Sequence, residues 1–283
     1  MRALLQTVEK VLDHDVSILL LGESGVGKDY LAEAIHACGK RSEKPLVRID
    51  CAAIPADLFE AEIFGFERGT FTDAVSRKIG KLEMARGGTI YFDAVTSLTP
   101  NLQAKLLRAI QDRSFTRLGG HETVLFDSRI ISSSSTKVDS LRNDLLYRIN
   151  VVTLTIPPLR ERREDIPRLV NLFVARRKRG VDAAAMRMLT QHRWPGNVRE
   201  LRNAIDRAVL MEESDTITPK SLPPLGGDPV EAAAEQQWTL DQLEERYIRE
   251  VLRQTRANYS RAAEILGINR KTLLEKRKKY AID

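Results

Sequence analysis

The amino-acid sequence predicts an α/β nucleotide-binding fold followed by a small all-α module, and three observations lead to that prediction. Residues 22–28 read GESGVGK, which fits the phosphate-binding loop pattern G-x-x-x-x-G-K. Apolar strand patterns alternate with helical patterns from residue 1 to about residue 156, as in a parallel sheet covered by helices. Residues 258–280 read NYSRAAEILGINRKTLLEKRKKY, and their spacing is typical of a helix-turn-helix.

Composition and charge exclude several classes of protein. The chain has 283 residues, of which 42% are hydrophobic and 30% charged, as in a globular protein of about two domains. No apolar run predicts a membrane span, and the first residues lack the pattern of a signal peptide, so we expect a cytoplasmic protein. Cys38 and Cys51 lack metal-ligand spacing and are expected to be reduced thiols. A net charge of +6 favours a polyanionic partner.

Breaks in the periodic patterns divide the chain into four segments. Pro157 and Pro158 end the strand–helix alternation, and a Pro/Gly-rich stretch with an Ala/Glu run indicates a linker. The predicted strands occupy residues 16–21, 46–50, 89–93, 128–132 and 151–156. The predicted segments are a nucleotide-binding subdomain at 1–156, a helical subdomain at 157–216, a linker at 217–238 and a helix-turn-helix domain at 239–283.

The glycine-rich loop predicts ATP binding. Its glycines allow backbone N–H groups to close around phosphate oxygens, and Lys28 would reach the β- and γ-phosphates. An apolar strand precedes the loop and a helical pattern follows it, so the helix N-terminus is aimed at the anion. The alternative, an ordinary glycine turn, does not require that context. The predicted ATP-binding residues of the loop are Gly22, Glu23, Ser24, Gly25, Val26, Gly27, Lys28 and Asp29.

A second motif, GGTIYFDA at residues 87–94, predicts the metal site. Asp93 would lie at the end of a strand beside the loop, where it would hold Mg²⁺ together with phosphate oxygens. A hydrolase also needs a base for the attacking water, commonly a Glu next to that Asp, and this chain has Ala94. Loss of a positioned base removes about 10²–10⁴-fold in rate. We therefore expect a site that binds ATP·Mg²⁺ and hydrolyses it poorly.

Five motifs together resemble those of bacterial enhancer-binding proteins, the AAA+ activators of the alternative sigma factor sigma-54. They cover almost the whole chain in the order GESGVGK, FGFERGTFTDA, GGTIYFDA, IPPLRER and WPGNVREL. The resemblance implies an AAA+ α/β subdomain at 1–156 with a helical lid at 157–216, assembled into a ring that is expected to be a hexamer. It also implies an ATPase, although Ala94 leaves the turnover uncertain.

The resemblance also assigns a sigma-factor loop. The family loop GAFTGA, which contacts sigma-54, corresponds here to Gly69, Thr70, Phe71, Thr72, Asp73 and Ala74. Phe71 and Thr72 match the family's contact pair. Asp73 replaces the family's second glycine, which removes freedom at positive φ and adds a charge at the tip. An ordinary surface loop is the alternative interpretation.

Further residues of the ATP site follow from the same resemblance. Arg142 and Arg148 match arginines that reach the γ-phosphate of the neighbouring subunit, a task suited to planar, permanently charged donors. Arg199 matches the sensor arginine of the lid. Ser134 and Ser135 occupy the first sensor position, where a polar side chain would lie near the γ-phosphate; a plain strand-end serine is the less favoured alternative for either.

Two departures from the family pattern leave alternatives open. Asp50 replaces an asparagine that usually restrains the catalytic Glu, and its carboxylate would either act as a substitute base or repel phosphate. Ala94 is either a deliberate change from Glu that traps ATP or the mark of a natural poor hydrolase. The intact Lys28 and arginines favour the first explanation, while Asp50 and Asp73 favour the second.

The last segment predicts DNA binding. Ser260 is expected to cap the first helix, Gly267 to end it in the left-handed conformation, and Asn269 to cap the second. That second helix would enter the major groove, and the pattern resembles the Fis-type domain, which implies dimers on palindromic, enhancer-like DNA sites. A solvated charged helix is the alternative. The predicted DNA contacts are Asn269, Arg270, Lys271 and Thr272 near bases, and Lys276, Arg277, Lys278 and Lys279 on phosphates.

Together these observations favour a DNA-bound activator that binds ATP between ring subunits and remodels sigma-54 RNA polymerase. The rival hypothesis is a DNA-binding regulator whose AAA+ fold is only a ligand-gated oligomerisation module, independent of sigma-54. Ala94 and Asp73 favour that rival. Because family members usually carry a receiver or sensory domain ahead of the ATPase, we expect a regulator that was removed or that is a separate protein of a two-component or similar system.

Overall fold

The computed structural model divides into two compact units, Met1–Pro223 and Pro224–Asp283. The division lies beyond residue 217, where the linker was predicted to begin. Side chains 2, 3 and 254 are not described. The structure describes residues 1–72, 74–135, 138–175, 180–223, 225, 237–255, 258–280 and 282.

A five-stranded parallel sheet organises the first unit, in the order β2-β5-β8-β1-β9. All five predicted strands are confirmed, with ends shifted by a few residues. The all-apolar β1 and the fully buried β8 lie inside the sheet, where both faces are covered. The strands of this unit are β1 Ile18–Leu21, β2 Leu46–Asp50, β3 Gly65–Phe66, β4 Lys78–Ile79, β5 Thr89–Asp93, β6 Ser114–Thr116, β7 Thr123–Leu125, β8 Arg129–Ser134, β9 Val152–Thr155, β10 Gly180–Val181 and β11 Thr216–Ile217.

Helices cover both faces of the sheet, and an apolar core lies on each face. Local sequence sets where some of them begin: the Thr99 side chain accepts from Leu102 N at one helix, and Asp182 accepts from Ala184 N at another. The helices are α1 Arg2–Leu12, α2 Lys28–Ala37, α3 Ala56–Phe64, α4 Lys81–Met84, α5 Pro100–Asp112, α6 Asn143–Ile149, α7 Ile166–Ala175, α8 Ala183–Gln191 and α9 Asn197–Met211.

The subdomain predicted to be helical, 157–216, contains strands as well as helices. β10 lies between α7 and α8 and pairs in parallel with β11, which follows α9. Glu212 accepts hydrogen bonds from the backbone N and the hydroxyl of Thr218, so ordered structure continues past the predicted linker start. Two-residue strands leave no detectable periodicity, which is why the sequence did not reveal them.

The described part of the second unit contains three helices, which share an apolar core. A capping box between Thr239 and Gln242 begins its first helix, as expected for this pattern. The prediction that Ser260 caps the next helix is wrong, because Asn258 has the extended backbone and its side chain accepts from Arg261 N. Ser260 lies inside that helix. The helices are α10 Leu240–Gln254, α11 Tyr259–Ile265 and α12 Arg270–Lys279.

Among the described residues, no helix combines the length and the apolar character that crossing a membrane requires.

Candidate functional site

The phosphate-binding loop connects β1 to α2, as predicted. Gly27 caps α2 with a φ of 103°, and a Cβ placed on it would meet no atom within 4 Å, so the loop is open there. Lys28 begins the helix, and its Nζ donates to Gly22 O at 2.7 Å and Glu23 O at 3.1 Å. Burial lowers the pKa of Lys28, while the charges of Asp93 and Asp29 oppose that shift. The ammonium group therefore lies over the loop, next to two carboxylates.

The turn before α9 lies directly on the loop. Gly25 O accepts hydrogen bonds from Val198 N at 2.9 Å and Arg199 N at 3.3 Å. A Cβ on Gly25 would lie 2.4 Å from Gly196 O, so only glycine permits this approach. The Arg199 guanidinium also donates to Ser24 Oγ at 2.9 Å, which brings this predicted lid residue to the loop.

Asn197 joins three segments at this contact, and the sequence analysis missed its role. Its side chain is fully buried, and its Oδ1 accepts from Leu159 N at 2.8 Å. Its Nδ2 donates to Glu23 Oε2 and to Ser24 O, both at 3.1 Å. The Pro-Gly-Asn run was the available signal, since Asn tolerates the left-handed φ of 53° found here.

Two arginines complete the attachment of the lid to the loop. Arg160 donates to both carboxylate oxygens of Glu23, at 2.8 and 2.6 Å. Hydrogen bonds from Arg160, and then from Asn197, lower the pKa of Glu23 to about 2. Arg162 donates to Val26 O at 2.8 Å. Glu23, which was predicted to bind ATP, is thus engaged by the lid.

Asp93 lies at the end of β5, beside Asp50 of the neighbouring parallel strand β2. Its Oδ1 accepts from Ala94 N at 3.0 Å, from Tyr91 Oη at 3.2 Å and, at very short range, from Ser133 Oγ. Tyr91 Oη also donates to Asp29 Oδ1 at 2.8 Å. The sequence did not predict the contributions of Tyr91 and Ser133.

The residues near Asp93 that were predicted to act in hydrolysis or nucleotide sensing differ in their hydrogen bonds and exposure. Ala94 has a left-handed φ of 51° and a methyl side chain without a proton acceptor. Asp50 Oδ1 accepts from Ala52 N at 3.0 Å and Ala53 N at 3.1 Å, so this oxygen stabilises a local turn. Ser134 is buried with its hydroxyl 3.4 Å from Thr96 Oγ1, whereas Ser135 is exposed.

The donor set around the loop fits ATP with Mg²⁺. Within the described ranges, no group of three or more His, Cys, Asp or Glu side chains could hold a metal ion. Mg²⁺ is typically bound by one or two carboxylates together with substrate phosphates. Asp93 supplies the carboxylate, and the open side of Gly27 leaves room for the phosphates.

Arg142 and Arg148 lie at the start and near the end of α6, and both are exposed. Arg142 forms a two-point pair with Asp144, at 3.1 and 2.7 Å, and its backbone N donates to Gln103 Oε1. Exposed positions suit residues that would serve a neighbouring subunit, and that role stays a prediction.

The loop at 69–74 is closed by its own backbone. Gly69 N donates to Ala74 O and Ala74 N donates to Phe71 O, both at 2.9 Å. Phe71 is 46% exposed and packs edge-on against Phe66, with ring centroids 4.8 Å apart. Thr70 Oγ1 donates back to Glu67 O. Asp73 lies outside the described residues.

A buried arginine ties the base of this loop to the hairpin of β6 and β7. The side chain of Arg117 is only 3% exposed and donates to three carboxylates. Those hydrogen bonds, above all the ones that Arg117 donates to Glu83, raise the pKa of Arg117. The partners are Glu83, Glu122 and Glu67.

In the second unit, the start of α12 has the predicted geometry. Asn269 Oδ1 accepts from Thr272 N at 2.8 Å, which confirms the cap, and Gly267 has a φ of 64°. Arg270 and Lys271 are exposed at this end of the helix.

The other predicted phosphate contacts of α12 are mostly engaged within the unit. Their partners lie on α10, on α11 or at the end of the chain, and those on α10 and α11 are too far along the sequence for local patterns to reveal. The contacts are Lys276 Nζ with both oxygens of Glu244 (2.7 Å each), Lys279 Nζ with Asp241 (3.0 Å), Arg277 Nε with Ile282 O (2.8 Å), and Arg277 over the Tyr259 ring (5.4 Å).

Three family models match the chain in order. A Sigma-54 interaction domain covers residues 1–155, an AAA+ ATPase lid domain covers 160–238, and the model of bacterial regulatory proteins of the Fis family covers 239–280.

Individual proteins agree with these matches. The chain is 40% identical over 297 residues to the regulatory protein AtoC of Escherichia coli, covering 97% of this chain and 64% of that protein. It is 42% identical over 293 residues to the transcriptional regulatory protein ZraR of Klebsiella oxytoca, covering 98% and 66%. The chain thus spans somewhat less than two thirds of these relatives. The crystal structure of NtrX from Brucella abortus in complex with ATP is 34% identical, with a TM-score of 0.73, covering 99% of this chain and 67% of that one.

Proposed function

The chain belongs to the family of sigma-54-dependent transcriptional regulators, and we propose that it is a DNA-bound activator that works as an ATP-dependent ring. The ring, expected to be a hexamer in the bacterial cytoplasm, would remodel sigma-54 RNA polymerase. One observation carries the proposal: Lys28, Asp93 and the lid residue Arg199 converge on a single glycine loop.

The residues of the loop support a specific division of tasks. Backbone N–H groups near Gly25 and Gly27 would surround the phosphates, and Lys28 would exchange its two carbonyl partners for phosphate oxygens. Asp93 would hold Mg²⁺, which when bound would neutralise phosphate charge. Arg199 would sense the nucleotide from the lid. The crystal structure of NtrX in complex with ATP supports nucleotide binding by a chain of this fold.

Hydrolysis would be weak in this chain. The methyl group of Ala94 cannot accept a proton from water, and Asp50 already uses one oxygen for a local turn. Arg142 and Arg148 would approach the nucleotide of the neighbouring subunit. We therefore propose that ATP binding, rather than rapid turnover, controls assembly in the chain as it stands.

Two further partners, sigma-54 and DNA, are proposed from the loop at 69–74 and from the helix-turn-helix. The exposed Phe71 and Thr72 would contact sigma-54, with the loop base held by Arg117. A dimer of the second unit would bind palindromic DNA through the exposed start of α12, at Arg270 and Lys271. A separate protein or an attached regulatory domain would control assembly.

The decisive experiment restores the missing base. Ala94→Glu should raise the rate of ATP hydrolysis, measured as phosphate release, by about 10²–10⁴-fold. Ala94→Gln is the matched control, because it has the same size and the same backbone cost but no basic carboxylate. Binding of Ala94→Glu to sigma-54 is measured alongside, with Phe71→Ala as the variant that should lose it.

The outcomes separate the proposal from its rival. The remodelling motor is supported if Ala94→Glu hydrolyses ATP fast, Ala94→Gln does not, and sigma-54 binding requires Phe71. Absence of both activities contradicts it and favours a regulator whose AAA+ fold is only an oligomerisation module. Equal rates for the Glu and Gln variants would show that position 94 does not supply the base.

A further inference from the structure

We infer that Tyr91 and Ser133 are positioning residues that orient the Asp93 carboxylate and thereby make nucleotide affinity depend on Mg²⁺. The inference rests on the proposed binding of ATP·Mg²⁺ and adds to it two residues that no sequence motif assigned. Both side chains are buried, Tyr91 on β5 and Ser133 on the neighbouring strand β8.

The first step concerns the two oxygens of Asp93. Three donors converge on Oδ1, namely Ala94 N, Tyr91 Oη and Ser133 Oγ. A carboxylate oxygen has about two lone-pair sites, so three donors saturate it and fix the plane of the group. Oδ2 takes no part in these three bonds. The carboxylate consequently presents one defined oxygen to a cation instead of rotating between two.

The second step concerns the single proton of Tyr91. Its hydroxyl lies 2.8 Å from Asp29 Oδ1 and 3.2 Å from Asp93 Oδ1, and it can donate to only one of them at a time. The proton therefore alternates between the two carboxylates, and the hydroxyl holds Asp93 Oδ1 and Asp29 Oδ1 close to it in either case. Tyr91 thus adds a constraint on the Asp93 carboxylate that is weaker than the one from Ser133.

The third step concerns Ser133, whose hydroxyl donates to Asp93 and accepts from Ala94 N at 3.1 Å. It therefore holds the carboxylate and also the left-handed backbone of Ala94 that follows it. Ser132, the preceding residue on β8, is equally buried, but its hydroxyl has no hydrogen-bond partner among the described residues. Ser132 is for that reason a matched control for removal of a buried hydroxyl.

The test measures ATP binding by calorimetry on the full 283-residue chain, once with Mg²⁺ and once with EDTA. The quantity of interest is the ratio of the two affinities. Because a hydrogen bond to a charged group is stronger than one between neutral groups, Ser133→Ala should reduce the Mg²⁺ enhancement by about 10-fold or more. Tyr91→Phe, which loses the longer bond to Asp93, should reduce it by about 5-fold. Ser132→Ala should leave the ratio unchanged, and Ser133→Thr, which keeps the hydroxyl, should restore it.

The possible results are distinguishable. A fall in affinity that is equal with Mg²⁺ and with EDTA would mean a general distortion of the loop and would overturn the inference. An unchanged ratio in both variants would overturn it as well, as would a wild-type chain that binds ATP without any influence of Mg²⁺. A wild-type chain that takes up no ATP under either condition would instead refute the proposed function itself. Thermal unfolding of each variant checks that it is folded. If Ser133→Ala does not fold, Tyr91→Phe still measures how the Mg²⁺ enhancement depends on the contacts of Asp93.

Discussion

The phosphate-binding loop and the helix α12 both place basic side chains where they could bind phosphate, but the two regions hold those side chains differently. Lys28 is bound by the backbone carbonyls of Gly22 and Glu23, which are neutral acceptors that a phosphate can replace at little cost. Lys276 and Lys279 are bound by carboxylates of α10, which neutralise the charge that a DNA phosphate would need. A basic residue in a binding motif is therefore available to a ligand only if the group that holds it in the unliganded chain binds it weakly.

The comparison extends to two asparagines: Asn197, the first residue of α9, and Asn269, the N-cap of α12. Asn197 is fully buried and bonds to three segments of the first unit, whereas Asn269 caps its own helix on an exposed face. The same residue type thus supports a whole interface in one unit and a single helix end in the other.

The largest effect is expected for Asn197→Ala. The substitution leaves Leu159 N and Ser24 O without their partners and puts alanine at a left-handed φ, so we expect a loss of about 2–4 kcal/mol in the free energy of unfolding. Asn269→Ala, in contrast, should cost the second unit about 1 kcal/mol, the usual effect of removing a cap.

Two measurements read these effects separately. Trp194 is buried beside the lid turn, so urea unfolding in a Trp238→Phe background reports on the first unit through Trp194 fluorescence. Segment-resolved hydrogen exchange reports on α12 for Asn269→Ala. If both substitutions cost the same, the contrast between a buried junction and an exposed cap is incorrect.

The sequence predicted the sheet and the phosphate loop because their signals are local. The run Ile18–Leu21 is apolar and leads into the glycine pattern, and those features dictate a buried strand and an anion-binding turn. The pairings of Arg160 with Glu23 and of Lys276 with Glu244 were not predictable, since each joins residues far apart in the chain. Such contacts depend on the folded topology, which periodicity does not specify.

The misassigned cap of α11 has a different cause. Asn258 and Ser260 are both good capping residues, and the helical pattern alone does not decide which of them the backbone leaves extended. Ser133 illustrates a third limit. In the run of serines along β8, only the register with β5 determines which hydroxyl meets Asp93.

A smaller effect is expected from the basic residues of α12. Lys271→Ala should weaken binding to duplex DNA several-fold and reduce the slope of log affinity against log salt by about 1, because one phosphate contact is lost. Lys276→Ala should leave that slope nearly unchanged, because Glu244 already holds the ammonium group. Fluorescence anisotropy of labelled duplex DNA over a range of salt concentrations measures both slopes. An equal reduction for the two variants would mean that Lys276 exchanges Glu244 for phosphate on binding.

The smallest effect is expected from acid titration of the lid contact. The pKa of Glu23 is about 2 in the folded chain and about 4.5 as its ordinary value, so its stabilising charge is fully present above pH 4.5 and is lost as the pH falls toward 2. Because both partners are partly exposed, the contribution should be only about 0.2–1 kcal/mol. Glu23→Gln in the Trp238→Phe background should therefore flatten the dependence of unfolding on pH between about 4.5 and 2, without changing its shape above pH 5. If the free energy of unfolding of Glu23→Gln falls between about pH 4.5 and 2 as steeply as that of the chain with Glu23, the pair of Arg160 and Glu23 does not hold the lid to the loop in solution. Asn197 would then be the main junction between the lid and the loop.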